Sequence, residues 1–121
     1  IRRCFVSLSQ IIPMLPVASM PASVEFYEKL GFSVDSRNDE WGWAMLQCGD
    51  AKLMIDQSIY IHKGIPKTSI TYLYAKNLEA FHGMAKANGL KVPDLDETFY
   101  NMTEFRMEDI DGNRLWIGQA N

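Results

Sequence analysis

The chain repeats itself. Residues 19–35 and 77–93 align without a gap under a shift of 58 (77 − 19), and both copies carry the same signals in the same order. In the first copy Ser19 suits a helix N-cap, and Pro21 falls in the first turn, where its missing N–H costs nothing. Met20, Ser23, Tyr27 and Leu30 recur at spacings of three and four, with Phe26 widening the stripe, while Glu25 and Lys29 fall on the wet side. Gly31 follows as a left-handed stop, and Phe32-Ser33-Val34-Asp35 then alternates as a strand does. In the second copy Asn77 replaces Ser19, Gly89 replaces Gly31, and Leu90-Lys91-Val92 replaces the strand. Bulky and small residues trade places, Ser23 lying over Phe81 and Tyr27 over Ala85, as two helices packing similar volumes would require. An internal repeat of this length constrains the architecture more than any single motif.

The flanking segments complete two modules. Residues 11–17 read as the first strand, and Pro13 and Pro16 suit an edge. Strands at 43–48 and 51–56 meet at Gly49-Asp50, a hairpin signal. Residues 69–75 are the counterpart of 11–17 under the same shift. A closing hairpin runs from 104–108 through Asp111-Gly112 to 113–118. There the shift becomes 62 (119 − 57), so that residues 52–55 lie over 114–117 and Gln57 over Gln119. The second module therefore carries four extra residues before its hairpin, and Asp94-Leu95-Asp96-Glu97 reads as a solvated acidic loop. The expected fold is α+β: two tandem β-α-β-β-β modules, sheets curled around a shared cavity, helices outside. One domain is expected over 11–121, with module one at 11–57, a crossover at 58–67 and module two at 68–119. Residues 1–10 fit a tail or an extra edge strand equally well.

Composition narrows the function. The net charge is −3 and no Lys/Arg cluster exists, which argues against nucleic acid. The longest apolar run, 11–18, has eight residues and two prolines and cannot cross a bilayer. Cys4 and Cys48 are too few for a disulfide scaffold or a zinc knuckle, so a reducing cytoplasm is the expected location.

Alternation separates two faces of each sheet. Leu15, Val17, Ala44, Leu46, Leu53, Ile55, Leu73, Phe105, Leu115 and Ile117 form an apolar set that should lie under the helices. The other set contains Met14, Trp43, Met45, Met54, Tyr72, Tyr74, Met102, Glu104 and Trp116, together with Lys52, Asp56, Arg106 and Arg114. Such a mixture of aromatics, methionines and charges suits a ligand cavity, and those nine residues are the expected ligand contacts. The same mixture also suits a dimer interface.

Other candidates have plainer readings. Asp109-Ile110-Asp111-Gly112-Asn113 resembles a calcium loop but lacks the bidentate glutamate at the twelfth position, so a hairpin turn is expected. His82 falls on the polar side of its helix and reads as solvated, His62 as an exposed loop residue, and Cys48 as a small buried hydrophobe. No Ser/His/Asp triad, phosphate loop or nucleophile elbow can be assembled, and no catalytic residue or cofactor is expected.

Three phrases carry a resemblance: Pro-Met-Leu-Pro-Val (13–17), Ser-Val-Glu-Phe-Tyr-Glu-Lys-Leu-Gly-Phe (23–32) and Glu-Phe-Arg-Met-Glu-Asp-Ile-Asp-Gly-Asn (104–113). They are similar to the vicinal oxygen chelate superfamily, which unites glyoxalase I, extradiol dioxygenases, fosfomycin-resistance transferases and bleomycin-resistance proteins. The resemblance spans roughly residues 11–119. Metal-dependent members hold a divalent ion at four strand positions, which here fall on Ile12, Met54, Ile70 and Trp116. Isoleucine and tryptophan cannot coordinate, and a lone thioether suits copper(I) rather than Mn, Ni, Zn or Mg. The resemblance is nearest to the metal-free bleomycin-resistance branch, in residues 24–27, in Tyr72-Leu73-Tyr74 and in Glu104-Phe105. Thr103 and Met102 depart from that branch, which carries Arg and Gly there. The resemblance implies a homodimer and a metal-free binding protein that sequesters an aromatic, possibly cationic, compound. The alternative is a metal-independent enzyme acting on a small organic substrate, with Glu104 or Asp56 as general base. A third class is a dimerising module with a vestigial cavity.

Overall fold

In the computed structural model, residues 6–61, 65 and 67–121 are described. His62, the middle of the crossover and the first half of the 1–10 extension lie outside the described residues. Module one runs β1 (Met14–Pro16), α1 (Met20–Lys29), β2 (Ser33–Asn38), β3 (Trp43–Cys48) and β4 (Ala51–Asp56). Module two runs β5 (Ile70–Tyr74), α2 (Leu78–Ala87), β6 (Asp96–Glu97), β7 (Met102–Glu108) and β8 (Arg114–Ala120). Each module forms one four-stranded sheet, ordered β1-β4-β3-β2 and β5-β8-β7-β6, so the repeat in sequence is a repeat in topology.

The helices begin and end as the repeat predicts. The Ser19 hydroxyl accepts from the Ala22 N–H at 3.3 Å, and the Asn77 side chain accepts from Ala80 N–H at 3.1 Å. Gly31 and Gly89 stop the helices with φ of 95° and 91°. Met20, Ser23, Tyr27 and Leu30 are all buried. A second cap, unread in the sequence, closes each helix from its own module's last strand. The Gln57 side-chain Oε1 accepts from Met20 N–H at 2.7 Å, and that of Gln119 from Leu78 N–H at 2.8 Å. The aligned glutamines therefore do the same work twice, each satisfying an N–H that the helix itself cannot. At Gly42 a Cβ would sit 2.7 Å from the Gln57 amide, so only glycine leaves that side chain its path.

Several boundaries differ from expectation. β1 is only three residues long, because proline at 13 and 16 removes ladder donors; Met54 N–H still reaches the Pro13 carbonyl at 2.8 Å. β2 extends to Asn38 through a bulge between Val34 and Ser36. Residues 90–92 form no strand. The pairing slips down the chain into the acidic stretch, where β6 sets Asp96 opposite Glu104 and Glu97 opposite Thr103. Pro93 offers no N–H to a ladder, and its carbonyl is taken by the His82 ring at 2.7 Å. His82 is thus half-buried rather than solvated, its ring edge-on to Phe105 at 5.0 Å. Cys48 is half-buried against the core, and burial pushes its thiol up.

The apolar faces of both sheets merge with both helices into one core that includes Val17, Tyr27, Leu46, Ile55, Phe105, Leu115 and Ile117. Polar ties cross between the modules on this side. The Tyr27 hydroxyl donates to Asp109 at 2.7 Å, the Asn113 amide to the Pro16 carbonyl at 2.9 Å, and the Asn88 amide to the Lys29 carbonyl at 3.0 Å. The 109–113 segment is the expected turn: Asp109 N–H donates to Asn113 carbonyl at 3.0 Å, and protein donors reach both Asp109 carboxylate oxygens.

Candidate functional site

Register decides which of the expected contacts are neighbours. On the first sheet Met14, Met54 and Met45 line up across β1, β4 and β3, one row from the pair Trp43 and Asp56. On the second sheet Tyr72, Trp116 and Arg106 form one row across β5, β8 and β7, and Tyr74, Gly118 and Glu104 the next. Met102 stands at the far end, opposite Ala120. The nine residues thus form a methionine-rich group on module one and an aromatic, charged group on module two.

The second group is built around Glu104, which is only 2% exposed. A buried carboxylate is costly unless its oxygens are filled. Tyr72 and Tyr100 hydroxyls donate to one oxygen at 2.9 and 2.6 Å, and Arg106 Nε to the other at 2.8 Å. Burial alone would push the Glu104 carboxyl up, but the hydrogen bonds from Tyr100, Arg106 and Tyr72 outweigh it and hold it below the usual carboxylate range. Burial, and then the bond to Glu104, push the Tyr72 phenol well above its ordinary value. Both groups are therefore fixed in the protonation states they hold at neutral pH, the opposite of a poised acid–base pair. Gly118 makes the arrangement possible, because a Cβ there would collide with the Tyr72 hydroxyl and stand 3.1 Å from Glu104 Cβ. The Arg106 guanidinium lies over the Trp116 ring, 3.5 Å from its centroid. One face of this expected wall is thus already covered by a cation.

Module one presents a different surface. Trp41, Trp43, Asp56 and Ser58 line an open depression of about 470 Å³. Trp43 belongs to β3 and faces Asp56 of β4 in register. Trp41 comes from the turn before β3, where Asn38 holds its N–H through a side-chain hydrogen bond of 3.0 Å. Trp41 is 69% exposed. The Asp56 carboxylate accepts from the Ser58 N–H at 2.8 Å. Trp41 and Ser58 escape a reading by strand alternation because both lie in turns. Their signal was an aromatic two residues from Trp43 across a glycine.

The four positions at which metal-dependent proteins of this resemblance carry ligands hold Ile12, Met54, Ile70 and Trp116, which do not fit a divalent ion. Among the described residues no three His, Cys, Asp or Glu side chains come together as a metal site. None of the described helices is long and apolar enough to cross a membrane.

A profile of the "Glyoxalase/Bleomycin resistance protein/Dioxygenase superfamily" matches residues 8–117. The chain belongs to that superfamily. Solved structures of superfamily-like fold agree. A bleomycin resistance determinant encoded on the transposon Tn5 superposes with a TM-score of 0.78 at 25% identity, covering 94% of this chain and 99% of its own. A bleomycin-binding protein complexed with bleomycin gives the same score and identity, over 94% and 100% of the two chains. A glyoxalase-related enzyme from Clostridium phytofermentans shares the fold at 17% identity, with a TM-score of 0.75 over 98% and 100%. No curated protein matches the chain. Within the superfamily, then, the same two-module frame carries both binding proteins and enzymes, and the side chains must decide between them.

Proposed function

We propose that the chain is a metal-free binding protein that sequesters a small, flat, partly apolar compound, in the manner of a bleomycin-resistance protein. The observation that carries this is the depression lined by Trp41 and Trp43, on a fold shared with a bleomycin-binding protein. Indole walls favour flat ligands by offset stacking, and methionines such as Met14, Met45, Met54 and Met102 supply adaptable filler. Tyr72, Tyr74 and Trp116 extend the aromatic surface on module two. The enzymatic reading loses one of its two candidate bases, because Glu104 is engaged by Tyr72, Tyr100 and Arg106.

We place the protein in the cytoplasm as a homodimer. Tyr74 is 78% exposed and Phe99 fully so, apolar surface that a second copy would cover. Light scattering should give about twice the 13.8 kDa chain mass. Binding is tested by calorimetric titration with bleomycin and with a panel of neutral, cationic and anionic aromatics. Trp43→Ala should weaken the tightest of these about tenfold to a hundredfold. If no panel member binds below about millimolar, a Kd that corresponds to only about 4 kcal/mol, the proposal fails.

A further inference from the structure

Of the carboxylates beside the aromatic walls, Glu104 and Asp56 are in opposite states. Glu104 is buried and its oxygens are filled by Tyr72, Tyr100 and Arg106. An incoming cation would have to displace Arg106, which is also stacked on Trp116 at 3.5 Å. Asp56 is half-buried at the wall of the module-one depression, and its one hydrogen bond among the described residues is the 2.8 Å contact from Ser58 N–H. A carboxylate can accept about four hydrogen bonds, so most of its capacity is unfilled among the described residues, at a residue that lines the depression. No lysine or arginine among the described residues lines that depression.

The neighbours of Asp56 add to its charge rather than cancel it. Trp43 sits directly across the sheet, and Trp41 lines the same depression and is mostly exposed. Indole faces carry negative potential, so a carboxylate that lines the same depression as two tryptophans favours a cation over an anion. A volume of about 470 Å³ is within the range of small-ligand sites. Resting on the binding-protein reading above, we infer that Asp56 is the residue that selects the ligand's charge. The depression takes an organic cation, its charged head at Asp56 and its apolar body against Trp41 and Trp43.

The test uses three probes of one shape: 2-naphthylmethylammonium, 2-naphthylmethanol and 2-naphthoate, titrated calorimetrically into the full chain. The ammonium should bind at least about tenfold tighter than the alcohol, and the naphthoate more weakly than either. Asp56→Asn keeps an oxygen for the Ser58 N–H, so the site should persist. In that variant the alcohol's affinity should stay within about twofold while the preference for the ammonium disappears. Asp35→Asn removes the same charge elsewhere, from a residue 3.7 Å from Lys52, and should leave the preference intact. The inference is overturned if the preference survives Asp56→Asn, or if Asp35→Asn erases it equally, which would make it an effect of net charge. It is also overturned if the three probes bind alike, an outcome that leaves the binding-protein reading standing. If none of the three binds, that reading falls and takes this inference with it.

Discussion

Replacing Tyr27 with phenylalanine should measure the tie between the two modules. The ring stays, so its edge-to-face packing against Phe26 and Phe32 is kept, with centroids at 5.1 and 5.7 Å. What is lost is the 2.7 Å bond from its hydroxyl to Asp109. A hydrogen bond to a charged, buried acceptor contributes about 1.5–3 kcal/mol. Asp109 retains Asn113 Nδ2 on the same oxygen at 2.8 Å, and the N–H groups of Asp111 and Asn113 on the other at 2.9 Å. The carboxylate is therefore not orphaned, and the lower end applies, about 1.5–2 kcal/mol. Unfolding entropy of about 2.1 cal/mol/K per residue gives roughly 0.25 kcal/mol/K for this chain, so Tm should fall by about 6–8 °C. Differential scanning calorimetry reads this directly, and the urea m-value should not change. Burial, and then the Asp109 charge, push the Tyr27 phenol upward. A phenol with a raised folded-state value keeps its contribution until the pH climbs past its ordinary range, so the loss should be the same at pH 7 and pH 9. A fall of less than about 2 °C would mean that the bond contributes nothing net across the module boundary.

Three further outcomes are expected. Gly118→Ala should destabilise by about 2–3 kcal/mol, because the new methyl occupies the place of the Tyr72 hydroxyl, and adding Tyr72→Phe should recover part of the loss in a urea melt. Glu104 is held below the ordinary carboxylate range, so its stabilisation is complete above its unfolded value and is lost as pH falls through the folded one. Glu104→Gln should therefore be less stable at pH 7 and should lack that step in an acid titration followed by circular dichroism; an unchanged acid limb would refute it. Adding Mn, Ni, Co or Zn should leave Tm unchanged, since an ion that does not bind the native state cannot stabilise it. A saturable rise abolished by Met54→Ala would show otherwise.

The fold was legible because its signals are local and occur twice. Ser19 and Asn77, Gly31 and Gly89, and the apolar stripe of α1 each report on backbone within a few residues. The alignment of Gln57 with Gln119 was visible, but its meaning depends on a side chain reaching back 37 or 41 positions, which no local pattern encodes. β6 was missed because Asp96 and Glu97 have poor strand propensity and pair only where Pro93 has barred the preceding apolar residues. At the candidate site, alternation found Trp43 but not Trp41, which lies in a turn. It put Glu104 on one face with Tyr72 and Arg106, two of its three partners, but not with Tyr100, which reaches it from outside β7.

The hydroxyl of Tyr27 has no twin. Its counterpart in the second copy is Ala85, equally buried and with nothing to donate. The partnership with Asp109 is therefore made once, from the first half to the second, although the frame around it is made twice. At this contact the two halves are donor and acceptor and are not interchangeable. Two copies of the first half would carry two hydroxyls and no Asp109; two copies of the second would bury that carboxylate short of a donor. The asymmetry gives the contact a direction: the first half supplies the hydroxyl and the second the carboxylate, so neither half completes it alone.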